Sequence, residues 1–150
     1  MKMMIFKIFI GVLMFGILLP LPGQTQDMEL TIIGNAESAP KDIDMNQLRL
    51  ILRGEKLRWD DGTPIKIALM KTSTPIGTST CKKIYNMTGN ELNKYFLALV
   101  FQGKVKAPTF FNSTAELESY VADTPGAIGV IQNTSDDQNT IIQVNGKSQI

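Results

Sequence analysis

Three times along this chain a short apolar run gives way to a polar turn and then to a capped, amphipathic helix. A fourth apolar run closes the series. The runs are residues 29–33 (ELTII), 65–70 (IKIALM), 109–111 (TFF) and 127–131 (AIGVI). Asp44 and Gln47, Thr88 and Glu91, and Ser113 and Glu116 each have capping-box spacing. In such a box the first side chain accepts from the backbone N–H three residues on, and the second reaches back to the cap. Thr74 followed by Pro75 marks a fourth helix start, because proline needs no N–H at the first helical position. Apolar faces then recur at helical spacing: Met45, Leu48, Ile51 and Leu52; Ile76, Ile84 and Met87, with Thr80 on the same side; Leu92, Tyr95, Phe96, Leu99 and Val100; Leu117, Tyr120 and Val121. Gly54 and Gly103 end two of these helices, and Pro125 forces the last to finish before it. Strands alternating with helices predict an α/β domain with a mainly parallel sheet flanked by helices.

Punctuation within the runs adds detail. The Asp-Gly of residues 59–64 (WDDGTP) predicts a turn, with Trp59 covering the edge of the core. Gly129, inside the last run, marks a place where another backbone or a ligand comes close. Beyond Ile131 the chain is polar, and residues 140–144 (TIIQV) predict an edge strand before an Asn-Gly turn and a frayed tail.

The amino-terminal end is of another kind. Lys2 and Lys7 precede an apolar run, residues 8–19, which Pro20 and Pro22 close. A basic start, a short apolar stretch and a small-residue exit describe a secretory signal peptide over residues 1–25. The run falls short of the roughly 20 apolar residues that span a membrane. The remaining domain covers residues 27–150 and carries thirteen basic against fourteen acidic residues, a net charge of −1. It has no basic stripe for nucleic acid and no polybasic segment for a lipid surface.

Two absences narrow the chemistry. The chain has no histidine, which removes His-based triads and most zinc sites. It has one cysteine, Cys81, so no internal disulfide forms and an exported domain must stand on its core. Cys81 reads as a small buried hydrophobe beside an apolar stripe. Neither an enzyme nor a cofactor or metal site is expected. Asp60 and Asp61 lack the further oxygen ligands that a hard cation needs. Arg53, Lys56 and Arg58 read as a solvated helix end. Three Asn-X-Ser/Thr patterns, at Asn86, Asn112 and Asn133, bear on function only in a eukaryotic secretory pathway.

The richest polar stretch is residues 71–80 (KTSTPIGTST), which follows an apolar run and opens a helix. A helix start presents free N–H groups and a positive dipole end to an anion. In open α/β sheets, ligands sit beyond the carboxyl ends of the strands. Lys71, Thr72, Ser73, Thr74, Gly77 and Thr78 are the candidate ligand-binding residues, with a well-capped exposed turn as the plain structural alternative. The stretch is no Walker loop, since the Gly-Lys-Ser/Thr ending is missing.

The order of several segments resembles the short phosphate-transporter-type substrate-binding proteins of bacteria. The marks are "LRG" with a following Trp and "DGTPI", "FQGK" after an apolar helix, and "TPGAIGVI". The resemblance runs from about Glu29 to Ile131. It implies a periplasmic-binding-protein-like fold of essentially one lobe and a small oxyanion ligand held by amides, hydroxyls, an Arg and an Asp. Lys71 stands where that Arg is expected and Ser73 where the Asp is; Ser73, Gly77 and Thr78 loosely match a Ser-Gly-Thr cluster. A lysine does not reproduce the bidentate fork of arginine. Two functions follow as expectations. One is a periplasmic solute-binding module for phosphate or a similar oxyanion, serving an ABC transport system. The other is a single-lobe relative that acts as a protein-interaction module in the cell envelope.

Overall fold

The computed structural model describes residues 27–134 and 137–150. The expected signal peptide, residues 1–25, lies outside the described residues.

Strand β1 (Thr31–Asn35) is followed by a short β2 (Asp42–Ile43) and helix α1 (Met45–Leu52). Then come β3 (Lys66–Met70), α2 (Pro75–Thr80), a π-helical turn (Cys81–Tyr85) and α3 (Gly89–Phe101). The chain continues through β4 (Thr109–Phe111), α4 (Thr114–Asp123), β5 (Ala127–Ile131), β6 (Asn139–Ile141) and β7 (Gln143–Val144). The main sheet has the order β4-β3-β5-β1-β6, and β2 pairs with β7 beside it. The β4–β3, β3–β5 and β2–β7 pairings are parallel. β1 runs antiparallel to both β5 and β6. The expected α/β fold with a mainly parallel sheet is therefore present, with β1 reversing direction at one side.

The helices cover both faces of the sheet. Period-two alternation along β5 sends Ile128 and Val130 into one core with Leu48, Ile51, Leu52, Ile84, Leu92 and Phe96. Ala127 and Ile131 go to the other face, where Leu117 and Val121 of α4 meet them with Ile33. Every residue of β1 and β5 is buried, as suits strands covered on both sides.

The caps form largely as the sequence dictates. Asp44 accepts from the Gln47 N–H at 2.7 Å while the Gln47 side chain accepts from the Asp44 N–H at 3.2 Å. Thr88 and Glu91 make the same reciprocal pair. At α4 the cap differs: Ser113 accepts from the Glu116 N–H at 3.2 Å, and the capping box is not completed. Gly54, Gly62 and Gly103 hold positive φ at the predicted stops and turn.

Two expectations need correction. The carboxyl-terminal end is not frayed: the Leu30 and Ile150 backbones exchange hydrogen bonds of 2.9 Å in both directions, which ties the last residue to the start of β1. Asn145 and Gly146, both at positive φ, supply the turn that directs it there. The close approach at Gly129 is made by side chains, chiefly those of α4. A Cβ at that position would lie 2.6 Å from Leu117 Cδ2 and 3.1 Å from Val121 Cγ2, so the missing side chain is what lets α4 pack onto β5.

Candidate functional site

The parallel strands set which loops share an end of the sheet. β3, β4 and β5 finish at Met70, Phe111 and Ile131, so residues 71–74, the Asn112–Ser113 cap of α4 and Gln132 emerge at one edge. Two helix starts, those of α2 and α4, meet that edge. The Lys71 N–H donates to the Phe111 carbonyl at 2.9 Å and locks the first loop to β4.

The loop is largely occupied with holding itself. Thr74 donates its hydroxyl to the Lys71 carbonyl at 2.7 Å and accepts from the Gly77 N–H at 3.0 Å. The Thr78 hydroxyl donates to the Thr72 carbonyl at 3.1 Å. Gly77 is buried, and a Cβ there would collide with the Lys71 carbonyl oxygen, so only glycine lets the loop fold back on the helix. Thr72 packs against Gly89 at the start of α3, where a Cβ would stand 2.9 Å from Thr72 Cβ. Pro75 contributes no N–H. Of the α2 start, therefore, the Gly77 amide and the Thr74 and Thr78 hydroxyl protons are already committed inside the protein.

Of the six predicted residues, Ser73 and Thr78 line one open groove of about 640 Å³. They are joined there by Ser79, Lys82, Pro75 and, across it, Asp27 and Met28. Lys71, Thr72, Thr74 and Gly77 do not line that groove. Lys71 and Ser73 are exposed. Lys82 is the residue the sequence reading missed; its signal was the four-residue step from Thr78 along one helix face. On its other side Lys82 borders a hollow of about 660 Å³ lined also by Arg49, Arg53 and Lys83, with Glu55 its one carboxylate.

The remaining candidates have structural partners. Arg53 donates to the Tyr85 carbonyl at 3.1 Å, Lys56 pairs with Asp60 at 2.9 Å, and Arg58 donates to the Gly62 carbonyl at 2.8 Å. They are thus tied locally rather than simply solvated. The Asp61 carboxylate accepts from the Thr63 N–H at 2.9 Å, and that bond holds it below the ordinary carboxylate range. Cys81 is 2% exposed, and burial pushes its thiol up. Trp59 is buried, as expected of a core cover. Among the described residues no group of three or more Cys, Asp or Glu side chains is placed to hold a metal ion.

No protein-family model matches the chain, and neither does any curated protein. Solved structures do match. An ABC-type phosphate transport receptor from Vibrio cholerae aligns with a TM-score of 0.64 at 16% identity, over 81% of this chain and 48% of that one. The chain has a periplasmic-binding-protein-like fold. A protein from Clostridium perfringens, assigned as a phosphate ABC transporter substrate-binding protein and solved with phosphate bound, aligns at 0.59. It is 18% identical over 79% of this chain and 45% of that one. PstS from Borrelia burgdorferi aligns at 0.56 and 19% identity, over 79% and 47% of the two chains. The chain spans about half the length of these neighbours, which corresponds to a single lobe.

Proposed function

We propose that this chain is a solute-binding-protein-like module, exported to the periplasm, that takes phosphate or a similar small oxyanion for an ABC transport system without catalysis. The observation that carries the reading is the place of residues 71–78. In a fold shared with phosphate receptors, the loop richest in hydroxyls lies at the carboxyl edge of the parallel strands, at a helix start. Thr74, Gly77 and Thr78 shape that loop from within, and Thr72 seats it on α3. Ser73 offers a hydroxyl and Lys82, one turn beyond Thr78, an ammonium in the groove, where Asp27 is paired with Lys83; Lys71 adds a charge from its exposed place just outside the groove. Lysines act here as point charges, so the site attracts an anion without the planar fit that an arginine fork provides. One lobe covers one side of a ligand, and affinity is correspondingly modest. Residues 1–25 serve in this reading as the export signal. Among the described residues no helix is long and apolar enough to cross a membrane.

Titration calorimetry with phosphate and with sulfate tests the reading. Saturable heat at millimolar anion, together with a rise in melting temperature, is the expected result. A flat titration and an unmoved melting curve with both anions would rule it out.

A further inference from the structure

At the opposite end of the sheet from residues 71–78 lies a second groove, of about 590 Å³. The topology fixes its place: Lys66 begins β3 and Thr109 begins β4, and both line it. Its charged lining is Lys56, Arg58, Lys66, Lys104 and Lys106, with no carboxylate lining it among the described residues. In a domain whose net charge is −1, this is a local concentration of one sign. Arg58, Lys66, Lys104 and Lys106 are exposed, and none of them takes part in an ion pair among the described residues. Lys56 is held by Asp60, whose side chain is 98% exposed; such a surface pair is weak and readily exchanged.

Beneath the cations the groove is aliphatic, with Ile51, Leu57, Ile65, Ile67 and Val105 exposing or underlying its floor. Leu57 is 51% exposed, whereas Trp59, two residues on, is buried. The packing of Val105 over Gly54 closes one wall and keeps the groove concave.

We propose that this groove receives a carboxylate-rich, partly apolar segment of a partner polypeptide, with its acidic side chains on Lys66, Lys104 and Lys106 and its apolar ones against Leu57 and Val105. Charge complementarity selects the sign of the partner. The chemistry of the floor selects its class. Single-stranded nucleic acid needs aromatic platforms for its bases, and Tyr120 is the one aromatic ring in the lining. A bilayer is flat and is met by a convex apolar face, whereas this apolar surface lies at the bottom of a groove. Because the groove and the residue 71–78 loop stand at opposite ends of the strands, both can be occupied at once.

Fluorescence anisotropy on protein purified after expression of the full chain tests this, with a labelled peptide of alternating glutamate and leucine as probe. Saturable binding is expected, weakening steeply with salt and by about tenfold or more in Lys104→Glu/Lys106→Glu. These two residues lie in a loop outside every helix and strand, so the variant is expected to fold. A peptide of alternating lysine and leucine, and a polyglutamate without leucine, are both expected to bind at least about tenfold more weakly. Equal binding of the lysine peptide, equal binding of polyglutamate, or no effect of the double variant would each overturn the proposal. So would binding to phosphatidylglycerol vesicles or to single-stranded DNA in place of the peptide. The comparison of the three peptides on the unaltered protein decides the matter even where a variant is unstable.

Discussion

The indole N–H of Trp59 donates to the carbonyl oxygen of Gly126 at 3.0 Å, joining two residues 67 positions apart. The same carbonyl accepts from the Lys66 N–H at 3.1 Å, and the Gly126 N–H donates to the Ser38 hydroxyl at 2.7 Å. The Asp-Gly turn, the start of β3, the loop after β1 and the entry to β5 are thus held at one glycine. Gly126 has a φ of +83°, and a Cβ there would collide with the Pro64 carbonyl. Trp59→Phe keeps most of the buried ring and leaves Gly126 one donor, so the expected cost is about 1 kcal/mol. Gly126→Ala meets both the backbone strain and the collision, at an expected ~1–3 kcal/mol or more. Urea unfolding followed by circular dichroism checks the order. A Trp59→Phe variant less stable than Gly126→Ala would contradict it.

Gly129→Val raises strand propensity and yet is expected to destabilise the domain. Its side chain enters space held by Leu117, Val121 and Ile33, all fully buried. Overpacking of this kind costs about 1–3 kcal/mol. Adding Leu117→Ala to Gly129→Val is expected to return part of that loss, because the two side chains compete for one volume. A melting temperature unchanged in Gly129→Val, or strictly additive losses in the double variant, would reject this account.

Local signals explain why much of this fold was legible. The caps at Asp44, Thr74 and Thr88 are set by residues three apart, and the stops at Gly54 and Gly103 by single backbone conformations. What was hidden depends on residues distant in sequence. The reversal of β1 is decided by its pairing with β5 and β6. The ordering of the tail comes from Leu30 meeting Ile150. The π-helical turn continues α2 without any break in the apolar pattern, and ends where Asn86 adopts a left-handed conformation. The candidate loop was visible as a run of hydroxyls. That two of its threonines spend their hydroxyl protons on the loop's own carbonyls was not visible, because composition does not show which acceptor lies nearest.

Tyr85 gives the domain a defined response to alkali. It is 1% exposed, its hydroxyl donates to the Leu52 carbonyl at 2.7 Å, and its ring meets Phe96 edge-on. Burial chiefly, with the negative forms of Cys81 and Tyr95 nearby, pushes its pKa far above the usual phenol value of 10.0. The native state therefore keeps a proton that the unfolded chain releases. This contribution is present in full below about pH 10 and is lost as the pH rises beyond it. Cys81, raised in the same direction, begins to act from its ordinary 9.0 upward. Tyr85→Phe is expected to cost about 1 kcal/mol at neutral pH through the lost hydrogen bond, and to lose stability less steeply above pH 10. Melting curves of the two proteins between roughly pH 7 and 11 make the comparison. Parallel curves across that range would show that another group controls alkaline unfolding.

The loop at residues 71–78 separates two kinds of contribution, and three substitutions tell them apart. Thr74 is an N-cap that both accepts from Gly77 and donates to Lys71, so Thr74→Ala is expected to lower stability by about 0.5–2 kcal/mol with no anion present. Ser73 and Lys82 line the groove from exposed or helix-face positions. Ser73→Ala and Lys82→Ala are therefore expected to change the unliganded stability by no more than about 0.5 kcal/mol in either direction. They are also expected to diminish the phosphate-induced rise, Lys82→Ala more than Ser73→Ala because it removes a charge. Thermal melts with and without phosphate read both quantities at once. A phosphate-induced rise that persists at full size in the Ser73→Ala/Lys82→Ala double variant would move the anion away from this groove. Loss of stability in the unliganded double variant would instead make these two side chains part of the fold.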